Sequence, residues 1–182
     1  QTIDTGDTIS GFENFIGGNG DDTVRGDDAT ANTIVAGGGD DEVFLGADHA
    51  NDYLDGGADT NGDTLNASEV ATGVNIDLSA GTVDGNSVIA GFEHVIGTAD
   101  ADTITTSAAD NSISSGAGAD SIIGSNGDDT IDGGADYDIL DYSGDDNFIT
   151  VDLSGLYSGT VAKDSAANTD TISNVERILG TA

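Results

Sequence analysis

The chain of 182 residues lacks cysteine, proline, methionine and tryptophan, and only three of its residues are lysine or arginine. Without cysteine, no disulfide bond stabilises the fold. The 35 aspartate and glutamate residues give a formal net charge of -32, which disfavours nucleic-acid binding because phosphates and carboxylates repel each other. No apolar run is long enough to span a membrane, and no signal peptide is recognisable. The function classes that remain are those of an acidic, non-membrane protein.

Glycine is abundant, with 28 residues, and a chain this acidic and sparsely apolar would be disordered on composition alone. Its acidic residues are nevertheless periodic. A pattern of Asp or Asn, any residue, and then Val, Ile or Leu begins at Asp22, Asn32, Asp41, Asp52 and Asp63, and again at Asp102, Asn111, Asp120, Asp129 and Asp138. The second set is spaced by 9 residues throughout, and the first by 10, 9, 11 and 11. This periodicity predicts a repeat architecture of short strands and turns.

The stretch at residues 17–25, GGNGDDTVR, shows what each repeat does chemically. Gly17, Gly18 and Gly20 are expected to adopt positive φ, which curls the backbone and directs several carbonyl oxygens towards one centre. Asp22 adds a carboxylate, and such a set of hard oxygen ligands suits Ca²⁺. Residues 23–25 then predict a three-residue strand in which Val24 points inward.

These residues resemble the repeats-in-toxin (RTX) family, whose nonapeptide G-G-x-G-x-D-x-U-x is matched at every position by residues 17–25. Partial matches lie at residues 37–43, 116–122 and 124–131. The resemblance implies an all-β fold, a parallel β-roll (right-handed β-solenoid). In that fold two nonapeptides complete a turn, motif n stacks on motif n+2, and several Ca²⁺ ions lie between stacked loops.

The same resemblance implies the metal ligands. It places Asp22, Asp41 and Asp63 on one edge, opposite Asn32 and Asp52, and it places Asp102, Asp120 and Asp138 on one edge, opposite Asn111 and Asp129. Calcium is expected mainly on the two edges that carry only carboxylates. The expected side-chain ligands are Asp22, Asp41, Asp52, Asp63, Asp102, Asp120, Asp129 and Asp138, and the expected carbonyl ligands are Gly18, Gly20, Gly116 and Gly118. Asp59 and Asp136 replace the third glycine of their loops, which is tolerable because Asp enters the left-handed region comparatively easily.

A longer period is superimposed on the nonapeptides. Residues 9–17 (ISGFENFIG) return as 89–97 (IAGFEHVIG) and 172–180 (ISNVERILG), a step of about 80 residues. Strand pairs are predicted at 74–79 with 81–83 and at 149–154 with 159–161, because their alternation has a period of two. The predicted units are residues 1–83, 84–166 and the start of a third at 167–182. We expect such units to stack on neighbouring repeats of the same or identical chains.

Glu13, Glu93 and Glu176 recur at one position of this longer motif. An exposed carboxylate or a local hydrogen bond is the favoured interpretation, and a calcium ligand is the alternative. No catalytic triad, H-E-x-x-H motif or P-loop is present, so an enzyme is not expected.

Three functions fit these features. The favoured one is a calcium-binding structural module of a secreted or cell-surface bacterial protein, such as an adhesin, a surface layer or a matrix fibre, which folds on calcium after export. The second is a calcium-dependent folding and export module of a secreted RTX-like enzyme or toxin. The third is a ligand-binding module for carbohydrate or ice.

Overall fold

The computed structural model describes residues 8–26, 30–144, 148–163 and 168–180. These residues form strands and turns, and none of them lies in a helix that could cross a bilayer. The strands are β1 (Thr8–Phe12), β2 (Asn14–Ile16), β3 (Thr23–Gly26), β4 (Thr33–Gly38), β5 (Glu42–Phe44), β6 (Tyr53–Ala58), β7 (Thr64–Asn66), β8 (Asn75–Asp77), β9 (Thr82–Val83), β10 (Ser87–Ala90), β11 (His94–Ile96), β12 (Thr103–Thr105), β13 (Ser112–Ser114), β14 (Ser121–Ile123), β15 (Thr130–Asp132), β16 (Ile139–Asp141), β17 (Ile149–Gly155), β18 (Ser158–Lys163), β19 (Asn168–Ser173) and β20 (Arg177–Leu179).

The strands form two sheets of ten. The first sheet has the order β1-β3-β5-β7-β11-β13-β15-β19-β18-β17, and the second has the order β2-β4-β6-β10-β9-β8-β12-β14-β16-β20. Along most of the chain, successive strands alternate between the sheets and each pairs in parallel with the strand one turn away. The structure is therefore the parallel β-roll that the family resemblance implied.

The core is built from the apolar residue at the centre of each repeat. In the first sheet Val24 pairs in register with Val43, and Val43 pairs with Leu65. In the second sheet Ile104 pairs with Ile122 in the same way. All five side chains are almost completely buried. Motif n thus stacks on motif n+2, as predicted, and this register places the central apolar side chains of the stacked repeats between the two sheets.

Both predicted strand pairs are confirmed as antiparallel hairpins. β8 pairs with β9, which in turn pairs with β10, and β17 pairs with β18, which in turn pairs with β19. Both sheets continue without a break past residue 83, since β7 pairs directly with β11. The division into units therefore stays a prediction, and its second boundary, at 166/167, lies outside the described residues, as do residues 1–7 and 181–182.

The hairpin at β8–β10 determines where the aspartates lie. Asp22, Asp41 and Asp63 precede strands of the first sheet, whereas Asp102, Asp120 and Asp138 precede strands of the second sheet. In a roll the strands of the two sheets run in opposite directions, so the amino ends of the two sheets lie at opposite edges. We call the amino end of the first sheet the first edge and that of the second sheet the second edge. The two carboxylate rows therefore lie on opposite edges of one continuous roll.

Candidate metal sites

A ladder of hydrogen bonds links the repeat aspartates along each edge. On the first edge the Asp22 N–H donates to Asp41 Oδ1 and the Asp41 N–H donates to Asp63 Oδ1, both at 2.7 Å. On the second edge the Asp102 N–H donates to Asp120 Oδ1 at 2.8 Å, and the Asp120 N–H donates to Asp138 Oδ1 at 2.9 Å. The four accepting aspartates, Asp41, Asp63, Asp120 and Asp138, thus each hold the backbone of the preceding turn with one carboxylate oxygen.

The second carboxylate oxygen has a different environment. Oδ2 of Asp41, Asp63, Asp120 and Asp138 is buried and, among the described residues, has no hydrogen-bond partner. At Asp120 the neighbouring Ser115 hydroxyl donates to Gly133 O at 2.6 Å and leaves Oδ2 unsatisfied. A buried carboxylate oxygen without a donor is costly unless a cation neutralises it. These four aspartates fit a hard divalent cation such as calcium, which is bound by oxygen ligands.

Glycine at the loops allows the close stacking. Gly37 and Gly116 have φ of +122° and +108°, and a Cβ at either would overlap a carbonyl oxygen of the neighbouring loop, Gly18 O or Thr98 O. The positive φ expected at Gly17, Gly18 and Gly20 is not observed, so that prediction was wrong. At Gly17 the requirement is steric instead, because a Cβ there would overlap Ala36 O.

The carbonyls predicted as ligands lie in these stacked loops. Gly18 O accepts a hydrogen bond from the Gly38 N–H, and Gly116 O accepts one from the Ala135 N–H, each at 2.9 Å. Gly20 lies against Gly39 of the next loop. Gly118 lies against the main chain at residues 100–101. A carbonyl oxygen has two lone pairs, so these contacts leave room for a further partner, and the role of the four glycines as ligands stays a prediction.

Two of the predicted aspartates already have protein partners on the second edge. Asp102 Oδ2 accepts the Thr98 N–H at 2.7 Å, and its Oδ1 accepts the Val74 N–H at 2.8 Å. Asp52 Oδ1 accepts the Asn32 N–H at 2.8 Å. Both carboxylates are buried. Their ligand roles also stay predictions.

Asp129 is held by a cation of the protein itself. Lys163, the sole lysine of the chain, is almost completely buried, and its Nζ lies 2.6 Å from Asp170 Oδ1 and 3.5 Å from Asp129 Oδ2. The ammonium group also donates to Ser125 O at 2.6 Å. Carboxylate and loop carbonyl oxygens thus surround the lysine on the first edge. Sequence reasoning missed this contact, although a lone lysine in so acidic a chain was a signal.

Burial changes the acidity of the repeat aspartates. Desolvation raises the pKa of Asp63 to about 7 and that of Asp138 to about 6, and the neighbouring carboxylates add to both shifts. The pKa values of Asp41 and Asp120 are raised for the same reason. Burial and the Asp170 carboxylate raise the pKa of Asp129 to about 7, although Lys163 opposes that shift. Without a bound cation, the ionised rows therefore destabilise the fold.

Comparison with known proteins agrees with this geometry. A family model for the RTX calcium-binding nonapeptide repeat matches residues 7–30, 16–50, 88–122, 105–140 and 114–149, which together cover more than half of the chain. The chain belongs to the RTX calcium-binding repeat family. No curated protein matches it significantly. As an RTX protein the chain is a calcium-binding repeat module, and its ladder of aspartates belongs to the repeats that the family model recognises.

The row of repeat aspartates on each edge ends at a glutamate that lies outside the nonapeptides. Glu93 Oε2 accepts the Asp63 N–H at 3.2 Å, and Glu176 Oε2 accepts the Asp138 N–H at 2.7 Å. Both glutamates therefore form hydrogen bonds between turns, with residues 30 and 38 positions away, instead of the local hydrogen bond or exposed carboxylate that was predicted. Asp136 has the predicted left-handed conformation, with φ of +80°, but Asp59 does not. In that longer loop Gly62 adopts positive φ instead, because two additional residues precede Asp63.

Proposed function

We propose that this chain is a calcium-dependent structural module of a secreted or cell-surface bacterial protein, such as an adhesin, a surface layer or a matrix fibre. The observation that carries the proposal is the pair of carboxylate rows, in which Asp41, Asp63, Asp120 and Asp138 each bury an oxygen without a partner among the described residues. A cofactor-independent protein would gain stability by pairing these oxygens with donors of its own. In the two carboxylate rows, these oxygens are instead available to bind a cation.

The balance of charge supports a coupling between calcium binding and folding. The formal charge is -32, and the described residues provide one buried cation for the rows, Lys163. Arg25 forms an exposed ion pair with Glu69 and does not reach them. Folding places buried carboxylates at successive turns, where they repel each other. Because the aspartates are aligned only in the folded roll, cation binding stabilises the folded state selectively.

The same coupling favours function outside the cell. Calcium-binding modules of extracellular proteins work at roughly 10⁻⁴–10⁻³ M calcium, far above cytosolic concentrations. We propose that the chain remains expanded and competent for export inside the cell and folds after export. RTX repeat proteins are typically secreted, which supports this location.

We further propose that the module has no catalytic activity of its own. Its buried acidic residues recur along the roll, whereas acid–base catalysis by carboxylates needs a pair whose environments differ. A folding module attached to a secreted enzyme or toxin would use the same physics, and the full-length gene distinguishes that role from the structural one.

The proposed coupling is tested by far-UV circular dichroism of the chain during calcium titration. We expect a cooperative gain of β signal in millimolar calcium and its loss on addition of a chelator. Magnesium at the same concentration, and sodium chloride at matched ionic strength, separate calcium binding from general screening. A full β signal in chelator, or an equal response to sodium chloride, would contradict the proposal.

A further inference from the structure

The first carboxylate row ends at a residue that does not belong to a nonapeptide. β11 pairs with β7 so that His94 lies beside Thr64, and Glu93 therefore lies next to Asp63 on the first edge. Glu93 Oε2 accepts the Asp63 N–H, just as Asp63 Oδ1 accepts the Asp41 N–H. Glu93 thus takes the position that the next repeat aspartate would have.

A third carboxylate joins this pair. One carboxylate oxygen each from Asp59, Asp63 and Glu93 lies within 4.8 Å of the other two. Asp59 is exposed, Glu93 is half-buried, and Asp63 is 0% exposed. Asp63 Oδ2 is buried beside Gly56 and has no hydrogen-bond partner among the described residues. Three carboxylates this close repel each other strongly unless a cation or a proton lies between them.

The loop that contains Asp59 is adapted to this arrangement. Its two additional residues are held by the preceding loop, because the N–H groups of Thr60 and Asn61 donate to Asp40 Oδ1 at 3.0 and 2.9 Å. Asp59 is thereby released from the left-handed position that Asp136 adopts in the shorter loop.

The end of the second row repeats the hydrogen bond between a long-motif glutamate and the last aspartate. β20 pairs with β16, which brings Glu176 next to Asp138, and Glu176 Oε2 accepts the Asp138 N–H. Asp138 Oδ2 is again buried without a partner among the described residues. A long-motif glutamate thus holds the last aspartate of both rows, but among the described residues only the first row has a third carboxylate within 4.8 Å.

We propose that Glu93 completes a divalent-cation site with Asp59 and Asp63 at the end of the first row, and that calcium is its ligand. This inference rests on the proposed calcium-dependent function. It adds ligands that the nonapeptide does not contain. The long-motif glutamate closes the first row, so Asp63 binds the cation together with a partner from the next turn.

The test compares Glu93→Gln with Glu13→Gln by isothermal titration with calcium chloride on the whole chain. The amide introduced by E93Q retains an oxygen that accepts the Asp63 N–H but removes the charge, so a purely structural role would leave calcium binding unchanged. Glu13 occupies the same position of the long motif, but it is exposed and its register neighbour is Asn32 instead of an aspartate. We expect E93Q to bind one calcium ion fewer than the wild type, or one ion at least tenfold more weakly, and E13Q to bind like the wild type.

A second variant covers the case in which E93Q does not fold. Asp59→Asn changes an exposed side chain, and we expect it to weaken the same calcium ion without changing the β signal at saturating calcium. Wild-type binding in E93Q, or in D59N if E93Q does not fold, would overturn this inference and leave the proposed function intact. Absence of calcium binding by the wild type would overturn the proposed function itself.

Discussion

The main-chain N–H of Asp102 donates to Oδ1 of Asp120 at 2.8 Å, while Oδ2 of Asp120 lies buried without a hydrogen-bond partner among the described residues. One carboxylate thus performs two tasks. Its first oxygen fixes the stacking of successive turns, and its second is available to a cation. The two tasks respond differently to substitution, and this difference makes the site testable.

Asp120→Asn is expected to have opposite effects with and without calcium. The amide oxygen still accepts the Asp102 N–H, but the cation loses a charged ligand. We expect calcium affinity to fall on the order of tenfold, about 1.4 kcal/mol, and the chelated protein to become more stable because a buried unpaired charge is removed. Isothermal titration and urea unfolding in chelator measure the two effects.

The control for that experiment is Asp110→Asn. Asp110 is exposed, and its Oδ1 accepts the Asp128 N–H at 2.7 Å in the same kind of contact between turns. We expect D110N to change neither the calcium affinity nor the stability of the chelated protein. Equal calcium affinity in D120N and the wild type would show that Asp120 is not a ligand.

Lys163→Met is expected to destabilise the roll strongly. The substitution preserves the aliphatic bulk but leaves Asp129 and Asp170 buried without their ammonium partner. Removing one member of a buried ion pair typically costs about 3–5 kcal/mol. Calcium should recover part of this loss, since a divalent cation can replace the ammonium charge. Urea unfolding in chelator and in calcium measures both quantities.

The matched control is Arg25→Met. Arg25 pairs with Glu69 at the surface, where such a pair contributes about 1 kcal/mol or less. If K163M lowered the free energy of unfolding as little as R25M, the Lys163 ammonium would have no special role on the first edge.

Gly116→Ala is expected to disrupt the stacking of the loops. Gly116 has φ of +108°, and an added Cβ would overlap Thr98 O of the neighbouring loop. We expect a loss of more than about 2 kcal/mol, together with weaker calcium binding, because the loops must separate. Gly85→Ala is the control, since Gly85 also has positive φ (+69°) but has open space where the Cβ would be. Backbone strain alone should cost about 1–2 kcal/mol there. Similar losses in both variants would exclude a steric role for Gly116.

The pH dependence of the calcium-free chain follows from the raised pKa values. Asp63 and Asp138 hold protons in the folded state up to about pH 7 and pH 6, whereas in the unfolded state they release them near pH 4. The folded state therefore binds more protons between about pH 4 and 7. Stability is highest at the acidic end of this window and falls as pH rises through the folded pKa values.

Urea unfolding from pH 5 to pH 8 in metal-free buffer tests this sign. Asp63→Asn should flatten the dependence, which separates the Asp63 contribution from the general repulsion of the acidic chain. Calcium affinity should change in the opposite direction and rise with pH, because the proton and the cation compete for the same oxygens. A calcium-free stability that rises from pH 5 to pH 7 would contradict the assignment.

The sequence by itself determined the repeating unit. The spacing of Asp and of the apolar residue two positions later predicted short strands and inward side chains such as Val24 and Ile122, and the resemblance to the RTX family implied the register of motif n on motif n+2. These features are local, because a glycine-rich turn and a single inward residue specify each strand independently of the rest of the chain. Both antiparallel hairpins were also readable from their alternating residues.

Only the tertiary structure decided which groups meet. The hairpin at β8–β10 places the two carboxylate rows on opposite edges, and spacing within each row contains no information on that. Lys163 reaches Asp129 and Asp170, and Glu93 reaches Asp63, across 30 or more residues for all but one of these pairs. A periodic pattern determines which side chains each turn carries, but the partners of a buried charge depend on which turns become neighbours in the folded roll.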